Sequence, residues 1–90
     1  MPKVLLCIKT NLKSTKKVLQ ELNAFKEVQE AFTVIGEYDI IAKVETKTFD
    51  DLVNIDQSIK RITNVKEILS ILLIKSKKSV EEQENGVIVA

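Results

Sequence analysis

The 90-residue sequence contains no histidine and no tryptophan, and only one cysteine, one proline, two glycines and four aromatic residues. Without histidine it lacks the commonest general base and the commonest metal ligand, and no HExxH, CxxC or glycine-rich phosphate loop is present. We therefore expect no enzyme, no metal site and no cofactor. Catalysis by carboxylates alone, through Glu37, Asp39 and Glu45, is the weaker alternative, because such groups near strand ends are usually solvated. The lone Cys7 has no intrachain partner and lies within the apolar run VLLCI, where a cysteine packs as a small hydrophobe and suits a reducing cytoplasm. Charge is absent in another sense: 14 basic and 13 acidic side chains leave a net +1, so no long-range field draws the chain to nucleic acid or to an anionic membrane. The apolar start of MPKVLLCIKT is too short for a signal peptide or a membrane span.

What is present is a globular composition, 44% hydrophobic and 30% charged, on a chain long enough for one small core. KVLLCIKT, residues 3 to 10, reads as a buried strand. Ser14 is placed to cap a helix over about 15–24, with Val18, Leu19, Leu22 and Phe25 on its apolar stripe. Residues 29–35 and 39–46 read as two strands joined through GEYD. Thr48 and Asp51 have capping-box spacing before a second helix whose stripe is Phe49, Leu52, Ile55, Ile59 and Ile62, and 65–75 is a long final strand.

The order βαββαβ defines an α+β, ferredoxin-like fold: a four-stranded antiparallel sheet with two helices on one face. We expect residues 1–75 to form this domain and 76–90 a charged C-terminal tail, whose Asn85-Gly86 turn signal and VIVA ending fit either a frayed end or a short added strand. Two helices cover only one side of such a sheet, so its other side should be polar. It is not: Val4, Leu6 and Ile8 alternate with Leu5 and Cys7, and Leu69, Ile71 and Leu73 alternate with Ile68, Leu72 and Ile74. A second apolar face of this size predicts a sheet-to-sheet dimer. An RNA-recognition module shares the topology but stacks bases on aromatics of its central strands, where this chain offers Leu5, Cys7, Ile41 and Lys43. We expect no direct contact with nucleic acid.

EAFTVIGEYDIIAKVET, residues 30–46, followed by a capped helix, resembles the hairpin of the ligand-binding (RAM) domain of Lrp/AsnC transcription regulators: Gly36, an aromatic-Asp pair at Tyr38-Asp39, two apolar residues, then Lys43-Val44. The resemblance runs over residues 3–75. Full-length regulators carry a helix-turn-helix domain before this one, whereas this chain starts at the first strand, so the resemblance implies a stand-alone form without its own DNA reader. It implies dimers that assemble further into a ring, such as an octamer of four dimers, and a small amino-acid effector bound where dimers meet. A full-length Lrp/AsnC regulator is a further implied partner. The family's closing segment carries two threonines, for which Ile68 and Ser70 stand here. A zwitterion needs an acceptor for its ammonium and donors for its carboxylate. Asp39 would take the ammonium, Gly36 and its neighbour Glu37 would present backbone amides, Tyr38 would wall the pocket, and Ser70 and Thr33 would add hydroxyls. Each also has a purely structural reading, as turn geometry or sheet packing. The function so implied is an effector-sensing and oligomerisation module of transcription regulation; the alternative is an assembly domain that oligomerises without ligand.

Overall fold

The computed structural model describes residues 1–74; the expected tail lies outside the described residues. Six elements follow in chain order: β1 (Lys3–Thr10), α1 (Thr15–Leu22), β2 (Val28–Thr33), β3 (Ile40–Glu45), α2 (Phe49–Lys60) and β4 (Val65–Leu73). The strands form one antiparallel sheet in the order β2-β3-β1-β4. This is the ferredoxin-like arrangement expected from the sequence.

Alternation decides where the core sits. Val4, Leu6 and Ile8 pair with Val44, Ala42 and Ile40, so all six side chains project from one face, where Val18 and Leu22 of α1 and Leu52, Ile55 and Ile59 of α2 complete a buried cluster. Strands β1 and β3 are central and carry the buried positions, while β2 and β4 form the edges.

The opposite face is apolar as well. Leu5, Cys7, Ile41, Phe32, Leu69, Ile71 and Leu73 share it by register, and none of the helices lies over them. Phe32 is 51% exposed, Leu69 47%, Ile71 42% and Leu73 38%. Lys3, Lys9, Lys43, Glu30, Glu45 and Glu67 surround them on the same face.

Element boundaries differ from the sequence expectations for local reasons. Helix α1 ends at Leu22 rather than 24, because the amides of Ala24 and Phe25 donate to carbonyls three residues back and tighten the last turn. Ser14 makes no side-chain cap; its place at the helix start is held instead by the backbone, Ser14 N–H donating to Asn11 C=O at 3.0 Å. Lys13 provides the left-handed turn before it (φ 68°), a conformation that nothing in its residue type announces. Strand β2 stops at Thr33 instead of 35, since Val34 N–H bonds Asp39 C=O and the chain then turns through 35–38. Strand β4 ends at Leu73, paired with Lys3, where its neighbour β1 begins. At α2 the capping expectation holds on the Thr48 side: its hydroxyl accepts from Asp51 N–H at 3.1 Å.

Leu6 is fully buried at the centre of this cluster and Leu12 is 89% exposed in the loop after β1. Leu6→Ala should cost about 2–5 kcal/mol in urea unfolding and Leu12→Ala under about 0.5 kcal/mol. Equal effects would contradict the assignment of the core.

Candidate functional site

The loop joining β2 to β3 is built around Asp39. Its amide donates to Ile8 C=O at 2.9 Å, which adds one rung to the β1–β3 ladder beyond Ile8 and Ile40. Beyond it the amide of Thr10 needs an acceptor, and the Asp39 carboxylate supplies one: Oδ2 accepts from Thr10 N–H at 2.8 Å and from the Thr10 hydroxyl at 3.2 Å. Because that hydroxyl donates its only proton to Asp39, the 2.7 Å contact between the Thr10 and Thr15 hydroxyls must have Thr15 as donor. A chain Thr15 to Thr10 to Asp39 therefore ties the first residue of α1 to the loop. Thr10 is buried, so these bonds satisfy groups that water does not reach.

Among the described residues no donor bonds the other carboxylate oxygen, Oδ1. Asp39 thus holds the loop with one oxygen. Tyr38, half-buried, lies beside it, and the Lys9 ammonium stands 5.9 Å from the centre of its ring. Gly36 has φ 144°, a left-handed-side conformation that L side chains rarely adopt, although a Cβ there would meet open space. The constraint at Gly36 is therefore the backbone itself. Glu37 is exposed, and Thr33, the last residue of β2, is exposed opposite Ile40.

Thr33, Gly36, Glu37, Tyr38 and Asp39 accordingly lie in or beside one loop. Ser70 does not join them. It lies on β4, the opposite edge, paired with Leu6 and separated from β2 by three strand spacings, roughly 14 Å. Its hydroxyl donates to Asp56 Oδ1 at 2.8 Å, and Asp56 Oδ2 pairs with Lys60 at 3.1 Å. These groups border a recess of about 220 Å³ between α2 and β4, walled by Val4, Phe49, Leu52, Val53 and Leu72. A larger recess, about 710 Å³, opens near Phe25 and Lys47 and contains none of the six residues.

Sequence reasoning missed Thr10, Thr15, Lys9 and Asp56. Only Asp56 had a visible signal, its i,i+4 spacing to Lys60 on a helix. The others become neighbours of the loop through the β1–β3 register, which no local pattern specifies. Among the described residues no cluster of three potential metal ligands occurs, and no helix is long and apolar enough to cross a membrane.

The βαββαβ sheet that carries this loop is the architecture of a known class of regulatory domains. The family model described as the Lrp/AsnC ligand binding domain matches residues 3–82, and the chain belongs to that family. Among solved structures, the chain is 33% identical to an FFRP protein, covering 82% of this chain and all of that one with a TM-score of 0.79. It is 31% identical to a hypothetical protein from Pyrococcus horikoshii, covering 89% of this chain and 98% of that one with a TM-score of 0.78. AsnC of E. coli shares the fold, at 22% identity and a TM-score of 0.77 over 84% of this chain and 52% of that one. A stretch of 61 residues, 68% of this chain, is 34% identical to part of a homocitrate synthase from Sulfolobus acidocaldarius; it spans 13% of that protein's length.

Asp39→Ala should leave the Thr10 amide and hydroxyl without an acceptor and lower stability by about 1–3 kcal/mol. Gly36→Ala should cost about 1–2 kcal/mol through backbone strain alone. Chemical denaturation checks both, and an Asp39→Ala variant as stable as the parent would contradict the anchoring role.

Proposed function

We propose that this domain senses a small amino acid or a related metabolite and converts its binding into a change of assembly, as an effector-sensing and oligomerisation module of transcription regulation in the cytoplasm. The observation that carries this reading is at Asp39: Oδ2 is committed to Thr10, Oδ1 has no donor among the described residues, and the adjacent Tyr38 has the Lys9 ammonium over its ring. An acceptor for an ammonium and a cation for a carboxylate at one loop are the two groups that a zwitterion requires. Family membership supports the regulatory class of the function. Ser70 lies on the far edge and bonds Asp56, so it joins this loop only if the site is shared between chains.

The open apolar face supports pairing of two chains sheet to sheet. Phe32, Leu69, Ile71 and Leu73 are about half exposed, and covering them would contribute roughly 3–6 kcal/mol per chain. For a pair this is on the scale of the whole folding stability of a small domain, roughly 5–15 kcal/mol. Such dimers, assembled further into a ring such as an octamer, give an effector a junction to stabilise or to open. The effector shifts that equilibrium only by its differential affinity for the two states. The partner is a second copy or a full-length Lrp/AsnC regulator. The similarity to part of homocitrate synthase favours a second reading, in which the same sensing domain delivers its signal to an enzyme instead of a gene. An assembly domain that binds no effector is the remaining alternative.

Titration of the amino acids one by one, followed by calorimetry and light scattering on the same samples, tests the sensor reading. At least one should bind saturably and shift the mass. Lys9→Met, which keeps the Asp39–Thr10 link, should weaken that binding tenfold or more, about 1.4 kcal/mol. Oligomers indifferent to every amino acid would leave assembly alone as the function. Ile71→Glu should lower both the average mass and the thermal midpoint, and an unchanged mass would sink the sheet pairing.

A further inference from the structure

The two helices cover the sheet unequally. Helix α1 has 8 residues and α2 has 12, a difference of about one turn, or roughly 6 Å. Past Leu22 the chain turns into β2, and the place of a further turn of α1, beside α2, is the recess of about 710 Å³. That volume falls within the roughly 300–1,000 Å³ of small-molecule sites. The recess lies at the end of the sheet opposite the GEYD loop, since Lys47 follows β3 and the loop precedes it. Helix α2 turns Asp51, Asn54 and Ile55 toward it, the i, i+3, i+4 spacing of one helical face. The connection from α1 to β2 brings Phe25 and Lys26 from the other side, and Lys47 stands just beyond β3. Both signs of charge line the recess, three carboxylates (Glu27, Glu45 and Asp51) and two ammonium groups. They do not pair with one another: among the described residues the one ion pair is Lys60–Asp56, outside the recess. Glu45 accepts from the Gln29 amide, whereas Asp51 meets Thr48 through its backbone N–H and leaves its carboxylate unengaged among the described residues.

We propose that this recess is a second small-molecule site, for a ligand that carries a carboxylate and an ammonium group at opposite ends of an aliphatic chain. The carboxylate meets Lys26 and Lys47, the ammonium meets Asp51 and the Asn54 carboxamide oxygen, and the methylenes lie over Phe25 and Ile55. The lining disfavours simpler occupants. Carboxylates outnumber ammonium groups, which opposes a plain anion, and the two lysines oppose a plain cation. A single exposed ion pair contributes little in water, so retention requires both ends of the ligand to be engaged at once. Length is selected as well. Lys26 and Asp51 belong to elements on either side of a gap the width of a helical turn, about 10 Å across with side chains. An α-amino acid carries its two charges side by side, whereas an aliphatic spacer lets each end reach its own wall. The site is separate from the GEYD loop and from the open sheet face, and it goes beyond the sensor reading.

The test uses the whole chain, isotope-labelled for nuclear magnetic resonance, and three probes of one carbon count: ω-aminocaproate, caproate and hexylamine. Aminocaproate should move the amide resonances of Phe25, Lys47 and Asn54 saturably, and each singly charged probe should bind at least tenfold more weakly. The double variant Lys26→Met/Lys47→Met and, separately, Asp51→Asn should each weaken aminocaproate binding tenfold or more. All three positions are exposed, and Asp51→Asn keeps the backbone bond to Thr48, so the thermal midpoints should stay close to that of the parent. Failure of aminocaproate to approach saturation by about 10 mM overturns the proposal, as does a singly charged probe that binds as tightly or a variant with unchanged affinity. Shifts confined to Gly36, Tyr38 and Asp39 would also overturn it and assign the probe to the loop. Recess and loop read out on different resonances, so a loop that binds no amino acid leaves this outcome unaffected.

Discussion

A four-stranded sheet with two helices has one covered face, and in this chain both faces are apolar. The covered face holds Leu6, Ile8, Ile40 and Val44 against Val18, Leu22, Leu52, Ile55 and Ile59, and it accounts for the fold of a single chain. The other face, with Phe32, Ile41, Leu69 and Ile71, is left uncovered by the helices, and leaving such side chains in water forgoes several kcal/mol, ~1.5–3 kcal/mol for each fully exposed one. The proposed pairing with a second copy would bury that face and account for the alternating apolar pattern of β1 and β4. Charged residues at its margin, among them Lys3, Lys43 and Glu67, resemble the polar rim that surrounds the apolar centre of protein interfaces.

The second constraint is local. Where the β1–β3 ladder ends, the backbone has a buried amide to satisfy, and a carboxylate does so in place of another strand residue. That substitution fixes the loop at Thr10 and, through Thr15, at the start of α1. It also makes the proposed binding role of Asp39 compatible with its structural one, since the loop engages only one of its two oxygens. A shift in the loop on binding would be felt at α1 and at β1, the strand whose odd positions form the open face, so the loop and the pairing surface share an element.

The fold was legible in the sequence because its signals are local. Period-two runs at 3–10 and 65–75, a helical stripe over Phe49 to Ile59 and the Thr48 cap each act within a few residues. The same alternation revealed the second apolar face. Legibility failed where the answer depended on register or on a conformation indifferent to residue type. Ser14 has the chemistry of a cap but sits at φ −110°, ψ 0°, and caps nothing with its side chain; Lys13 adopts a left-handed turn without being glycine or asparagine. The Thr10–Asp39 bond joins residues 29 positions apart, and no spacing rule marks it. Of the site, the GEYD loop stood out as a motif, whereas Ser70 was grouped with it through family resemblance and lies elsewhere in the single chain. Residues that a motif lists together can be brought together by a second copy instead of by the fold.

If folding and pairing are coupled through the open face, stability must depend on protein concentration. Urea unfolding of the wild-type chain at concentrations spanning about two orders of magnitude, with sedimentation at each, measures this directly. The account predicts an unfolding midpoint that rises with concentration while the sedimenting species stays larger than one chain. A midpoint independent of concentration, with a single chain sedimenting throughout the micromolar range, would contradict it.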